Sequence, residues 1–165
     1  MKNICIISNF EKTYLFNEAT KKIKKDKIFW IVVNRKQNKF LLKKFKKKNI
    51  LYLPKIKINK FKNWKEINKI KINEALFADR NLKIYNKTDE EYLVDSIIQI
   101  VNFIKKNKIK YVIGEITWAI EFLTFQICRE FKFLKVKYLN PSSIRIPQDR
   151  FIFFTDLHQS KFDQI

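Results

Sequence analysis

A chain of 165 residues suits one domain with one core, burying roughly two-thirds of the surface its unfolded form exposes. The net charge of +20 points toward nucleic acid or an anionic membrane surface, but 31 Lys, 26 Ile, 16 Phe and 15 Asn make up 88 of the residues. All four are encoded by A/T-rich codons, so genome composition accounts for much of the lysine, and no apolar run approaches the ~20 residues that a membrane helix needs.

The apolar runs alternate with helix-like stretches in the order of a parallel sheet, which predicts a single α/β domain over residues 1–165, Rossmann-like and three-layered. Asn3 to Ser8 reads as a first buried strand, too short in its apolar part for a signal peptide. Glu11 to Lys25 reads as a helix with Tyr14, Leu15, Ala19 and Ile23 on one face. Lys27 to Val33 is a second strand, Lys36 to Lys48 a basic amphipathic helix carrying Phe40, Leu41 and Phe45, and Ile50 to Leu53 a third strand closed by Pro54. Periodicity weakens from Lys55 to Lys87, although Trp64 to Ala78 has room for a helix.

Order returns at Thr88, where Thr88-Asp89-Glu90-Glu91 matches a capping box. The predicted helix carries Leu93, Ile97, Ile100, Val101 and Ile104 on one stripe and ends in Lys105-Lys106-Asn107-Lys108, where cations suit the dipole. A strand Tyr111 to Ile113 follows, then a turn at Gly114 and a helix from Trp118 to Phe131 so apolar that it must be buried. Lys135 to Leu139 reads as a strand and Asn140-Pro141-Ser142-Ser143 as a proline-marked loop. Arg145-Ile146-Pro147-Gln148-Asp149-Arg150 then leads into Phe151-Ile152-Phe153-Phe154.

Gly114 is the one glycine, and its place marks the candidate site. Ligands of open α/β sheets bind in the crevice outside the carboxyl ends of the strands, so Gly114-Glu115-Ile116-Thr117 is its expected rim. A single glycine excludes both the GxGxxG dinucleotide turn and the Walker A loop. Glu115 reads either as a hydrogen-bond acceptor or general base toward a substrate hydroxyl, or as a solvated loop carboxylate. Thr117 reads as a rim residue or an ordinary N-cap, and Glu121 as a second polar group of the site or a compensator of the helix dipole. Arg is scarce, with five against 31 Lys, and Arg145 and Arg150 bracket Pro147. Their guanidinium forks suit a carboxylate or phosphate, or else pin the loop to Asp149 or Asp156. Cys5 and Cys128 read as buried thiols of a reducing compartment. His158 is the only histidine and has no ligand neighbours, so neither a metal site nor a Ser/His triad is expected. Lys43-Lys44-Phe45-Lys46-Lys47-Lys48 suits acidic lipid or RNA phosphate, or simply a solvated helix face.

The stretch Tyr111 to Phe154, with Gly-Glu-Ile-Thr-Trp-Ala-Ile-Glu and then Arg-Ile-Pro-Gln-Asp-Arg-Phe-Ile-Phe, resembles the N-terminal half of bacterial capsular polysaccharide biosynthesis proteins. These are glycosyltransferase-like enzymes of the two-domain GT-B type, and Asp79-Arg80 fits the same pattern. The first two-thirds of the chain is similar in strand and helix order. The resemblance implies an acceptor-side domain in surface-polysaccharide assembly, with the nucleotide-sugar donor held by a second domain and no turnover without it. It implies a catalytic role for Glu115 and substrate contacts from Gly114, Thr117, Glu121, Arg145 and Arg150. No metal or cofactor is implied. The expected partners are a sugar or lipid-linked glycan acceptor, a donor-binding domain and an anionic membrane surface, and the expected location is cytoplasmic or peripheral to the inner membrane. The alternative is a small basic nucleic-acid-binding protein, which would need exposed aromatic side chains for stacking.

Overall fold

Strands of near-continuous apolar sequence are covered on both faces, and β2 (Ile28–Val32) is buried at all 5 positions. The computed structural model of the chain describes residues 2–54, 65–79, 87–144 and 150–161. It sets β2 in a 6-stranded sheet with β1 (Asn3–Ser8), β3 (Ile50–Tyr52), β4 (Ile109–Ile113), β5 (Lys137–Ile144) and β6 (Arg150–Phe154). The strand order is β3-β2-β1-β4-β5-β6. β1 pairs in parallel with both β2 and β4, β3 extends the sheet beyond β2 and β5 beyond β4, and only β6 is antiparallel to its neighbour. This is the predicted Rossmann-like α/β fold, with the carboxyl ends of β1, β4 and β5 on one edge.

Side chains alternate across each strand, and the two cores follow that alternation. On one face Ile6, Ile28, Trp30 and Val32 meet Phe16 of α1 (Lys12–Ala19) and Leu41 of α2 (Arg35–Leu42). On the other, Cys5, Ile7, Phe29, Ile31 and Val112 meet α3 (Ile72–Ala78), α4 (Lys87–Lys106) and α5 (Ala119–Glu130). Every residue of α5 from Ala119 to Cys128 is buried, as its composition requires. Burial also pushes both the Cys5 and Cys128 thiols up from their ordinary range, so they pack as apolar groups.

Several boundaries differ from those predicted, each for a local reason. The first helix stops at Ala19, after which the Lys21 and Ile23 amides make tighter three-residue turns to the Glu18 and Thr20 carbonyls. The second stops at Leu42, where the amides of Lys44 and Phe45 both return to the Leu41 carbonyl. Lys46 to Lys48 therefore leave the helix and enter a short 3-10 turn, Lys47–Asn49. Thr88 lies inside the first turn of α4 rather than capping it, and the N-cap of α5 is Trp118 rather than Thr117. Lys108 and Lys135 both adopt φ of 48°. The chain reverses at these left-handed residues, and β4 and β5 begin at Ile109 and Lys137.

The expected loop at Asn140-Pro141-Ser142-Ser143 is strand. β5 pairs with β4 as far as Leu139 and then, from Asn140 onward, with β6, Pro141 lying opposite Phe153. Proline is tolerated where one side of the strand needs no ladder donor, and by Pro141 the chain has passed the end of β4. Part of the weakly periodic third falls in a 3-10 segment, Lys65–Lys69, followed by α3. Trp64, Arg80 and Arg145 to Asp149 lie outside the described residues.

Candidate functional site

The sequence order of the strands reverses between β1 and β4, and the crevice at their carboxyl ends is where an open α/β sheet binds ligands. A pocket of about 250 Å3 opens there. Its walls come from Ile7 to Phe10 at the end of β1, Val33 and Asn34 after β2, and Leu53 after β3. Asp79, Tyr92 and Leu93 close it on the helical side, with Trp118 to Glu121 at the start of α5.

Glu121 is the centre of the polar part. It is 2% exposed, and its Oε2 accepts from the Thr117 amide at 3.0 Å, the Thr117 hydroxyl at 2.9 Å and the Trp118 amide at 3.2 Å. These are free donors of a helix N-terminus, satisfied from within the first turn. Its Oε1 accepts from Asn9 Nδ2 at 3.2 Å. Burial nevertheless outweighs these bonds and raises the carboxyl from its ordinary range to about 7. One more donor of the same helix end, the Ala119 amide, is bound by Asp79 Oδ2 at 2.9 Å.

Asn9 ties the two halves of the site. While its amide nitrogen reaches Glu121, its carbonyl oxygen accepts from the Trp118 indole at 3.1 Å. Phe10 packs on Trp118 with ring centroids 5.4 Å apart and adopts φ of 37°. Glycine usually takes such a conformation in a first βα turn, and here a phenylalanine bears the strain. Below the turn, the Ser8 and Thr13 hydroxyls share a buried hydrogen bond of 2.7 Å.

The residues expected at the site are distributed as follows. Gly114 sits at the end of β4, where a Cβ would stand 2.7 Å from the Tyr138 hydroxyl and 3.0 Å from Ile7 Cδ1, so glycine is needed there for close packing. Glu115 forms an ion pair with Lys12 of α1 at the partly exposed rim. Thr117 and Glu121 come together, and Glu121 lines the pocket. Arg150 begins β6, opposite Ile144 on the outer edge of the sheet, and nothing further of its side chain is described. Arg145 is outside the described residues.

Asn9, Phe10, Trp118 and Tyr92 were not singled out as site residues from the sequence. For the first two the signal was their position, immediately after the first strand and on the same sheet edge as Gly114. Among the described residues there is no group of His, Cys, Asp and Glu able to hold a metal ion, and no helix long and apolar enough to cross a membrane.

Fold and site together define a Rossmann-like α/β domain with a pocket at its switch point whose described lining includes Phe10, Trp118, Asp79 and Glu121. Comparison with family models, curated proteins and solved structures gives no match.

Proposed function

We propose that this chain is the acceptor-side domain of a glycosyltransferase-like protein of surface-polysaccharide assembly, binding a sugar unit in the pocket between β1 and β4. The observation that carries this reading is Glu121, a buried carboxyl lining the pocket and titrating near 7. A general base works best when its pKa lies near the working pH. Glu121 takes the proton of the acceptor hydroxyl as that oxygen attacks the donor sugar, whose nucleotide is held by a second domain. Glu115 serves with Lys12 as a rim pair. Phe10 and Trp118, packed on each other, are both lining residues of the pocket, which suits the apolar side of a sugar ring. The volume also suits a single ring: dedicated pockets for drug-sized ligands run to ~300–1,000 Å3, and this one is about 250 Å3. The excess of lysine suits a lipid-linked acceptor at an anionic membrane surface.

The test is binding of monosaccharides and of single-stranded RNA, measured by calorimetry on the wild type and on Glu121→Gln. Saturable sugar binding that the substitution abolishes is expected. RNA binding that falls steeply with salt and ignores the substitution, without any sugar binding, would overturn the reading in favour of a backbone-charge nucleic-acid binder.

A further inference from the structure

In a parallel sheet, every segment that returns from a helix to the next strand arrives at the same edge, the one formed by the amino ends of the strands. β1 to β5 run parallel, so the connections 20–27, 43–49, 107–108 and 131–136 share the edge opposite the pocket. They carry five, five, one and two lysines in turn, against one acidic residue, Asp26. Lys21 is paired with Glu18 of α1, and every lysine of residues 43–48 is exposed. Codon composition makes lysine common, and the fold gathers these lysines on one edge.

The basic loops are fastened to one another. Buried Asn49 donates from Nδ2 to the Lys25 carbonyl at 3.2 Å and to the Ile28 carbonyl at 2.9 Å, which holds the 43–49 loop against the one before β2. Asn3 Nδ2 donates to the Asn107 carbonyl at 2.6 Å and joins the start of β1 to the turn before β4. From β3 to β5 this edge crosses four strand spacings, roughly 20 Å. Two large apolar side chains stand out of it, Leu42 at the end of α2, 45% exposed, and Phe133 after α5, 52% exposed. They come from opposite faces of the sheet, each flanked by lysine.

We propose that the amino edge of the sheet docks on an anionic phospholipid surface, its lysines at the headgroup phosphates and Leu42 and Phe133 at the boundary between headgroups and acyl chains. A bilayer is as broad as this edge. A sequence-independent binder of single strands instead sets successive aromatic rings along a charged groove, and Phe133 is the one exposed aromatic residue of the four connections. The docking surface stands whatever occupies the pocket. β1 has 6 residues, a rise of roughly 20 Å, so a docked domain carries its pocket clear of the bilayer and facing away from it. On the acceptor-site reading above, a lipid-linked acceptor then enters by the far end of its glycan.

The experiment is flotation of the full chain at physiological ionic strength with two kinds of vesicle, one of phosphatidylcholine alone and one of equal parts phosphatidylcholine and phosphatidylglycerol. Binding to the anionic vesicles is expected to be about tenfold tighter or more, and to weaken as salt is raised. Two paired reversals remove the same charge on either side of α2: Lys47→Glu with Lys48→Glu on the docking edge, and Arg35→Glu with Lys36→Glu on the pocket edge. The first pair should weaken binding about tenfold and the second by less than about threefold. Phe133→Ser, which leaves the charge unchanged, should weaken it severalfold. All five side chains are exposed, and thermal melts report that each variant is folded; if Phe133→Ser is not, the paired reversals decide. Equal binding to the two kinds of vesicle, or equal loss from the two pairs, would overturn the docking edge. Polyuridylate bound more tightly than the anionic vesicles, and lost with Lys47→Glu and Lys48→Glu, would overturn it in favour of nucleic acid. Sugar binding in the pocket is a separate measurement, so the acceptor-site reading stands or falls independently.

Discussion

The indole of Trp118 donates a hydrogen bond of 3.1 Å to the side-chain carbonyl of Asn9, joining the first βα turn to the turn after β4. The Asn9 amide also reaches Glu121, so one side chain positions both the aromatic wall and the buried carboxyl of the pocket. Asn9→Ala is expected to cost about 1–3 kcal/mol, the usual effect of leaving buried polar partners unsatisfied. Because the Asn9 hydrogen bond helps to hold the Glu121 pKa down, its loss should raise that pKa above about 7. A 13C titration of the Glu121 carboxyl checks this, and an unchanged value would mean that Asn9 does not act on it.

Stability should depend on pH through Glu121 in a definite direction. Its carboxyl is raised from 4.5 to about 7 in the folded chain. Between these values the unfolded chain has lost the proton while the folded chain keeps it, so stability falls as pH rises through this window and levels off above it. The change is on the order of 3 kcal/mol. Urea midpoints at pH 5 and pH 8 should therefore differ more in the wild type than in Glu121→Gln. Equal differences would mean that Glu121 ionises normally.

Leu123 is fully buried on α5, in the core between helices and sheet. Leu123→Ala should cost about 2–5 kcal/mol, the range for a large-to-small change in a packed interior. Denaturant midpoints measure it. A cost below about 1 kcal/mol would mean that α5 is not packed as described.

Gly114 and Tyr138 form a matched pair. Gly114→Ala places a Cβ 2.7 Å from the Tyr138 hydroxyl, and such overpacking costs about 1–3 kcal/mol. The Tyr138 hydroxyl is buried and has no hydrogen-bond partner among the described residues, so Tyr138→Phe alone should be neutral or stabilising. In that background Gly114→Ala should be milder. Thermal melts of the two single variants and the double variant test the coupling, and strict additivity would place the clash on Ile7 instead.

The mainly parallel sheet and its layers were legible because Ile28 to Val32 and the helix after Trp118 are apolar beyond any amphipathic period. Gly114 marked the edge of the sheet at which the pocket opens. Helix ends were less legible, since the tight turns after Ala19 and Leu42 rest on backbone hydrogen bonds that composition does not announce. Pro141 read as a loop because its tolerance depends on where β4 ends, a tertiary fact. The site itself was half visible. Glu121 could be placed in the first turn of its helix, but not its hydrogen bond with Asn9, which lies 112 positions earlier.

That separation also sets the order in which the domain can acquire its pocket. β1, β2 and β3 are contributed by the first 52 residues, whereas β4 docks on β1 with Tyr111 opposite Ile4. Contacts this far apart in sequence are slow to form. A nascent chain holding only β1 to β3 has Asn9 and Phe10 but neither Trp118 nor Glu121, so the pocket arises when β4 and α5 close over β1. A ligand that binds only the finished pocket stabilises the docked state by mass action, and makes that docking step responsive to its concentration.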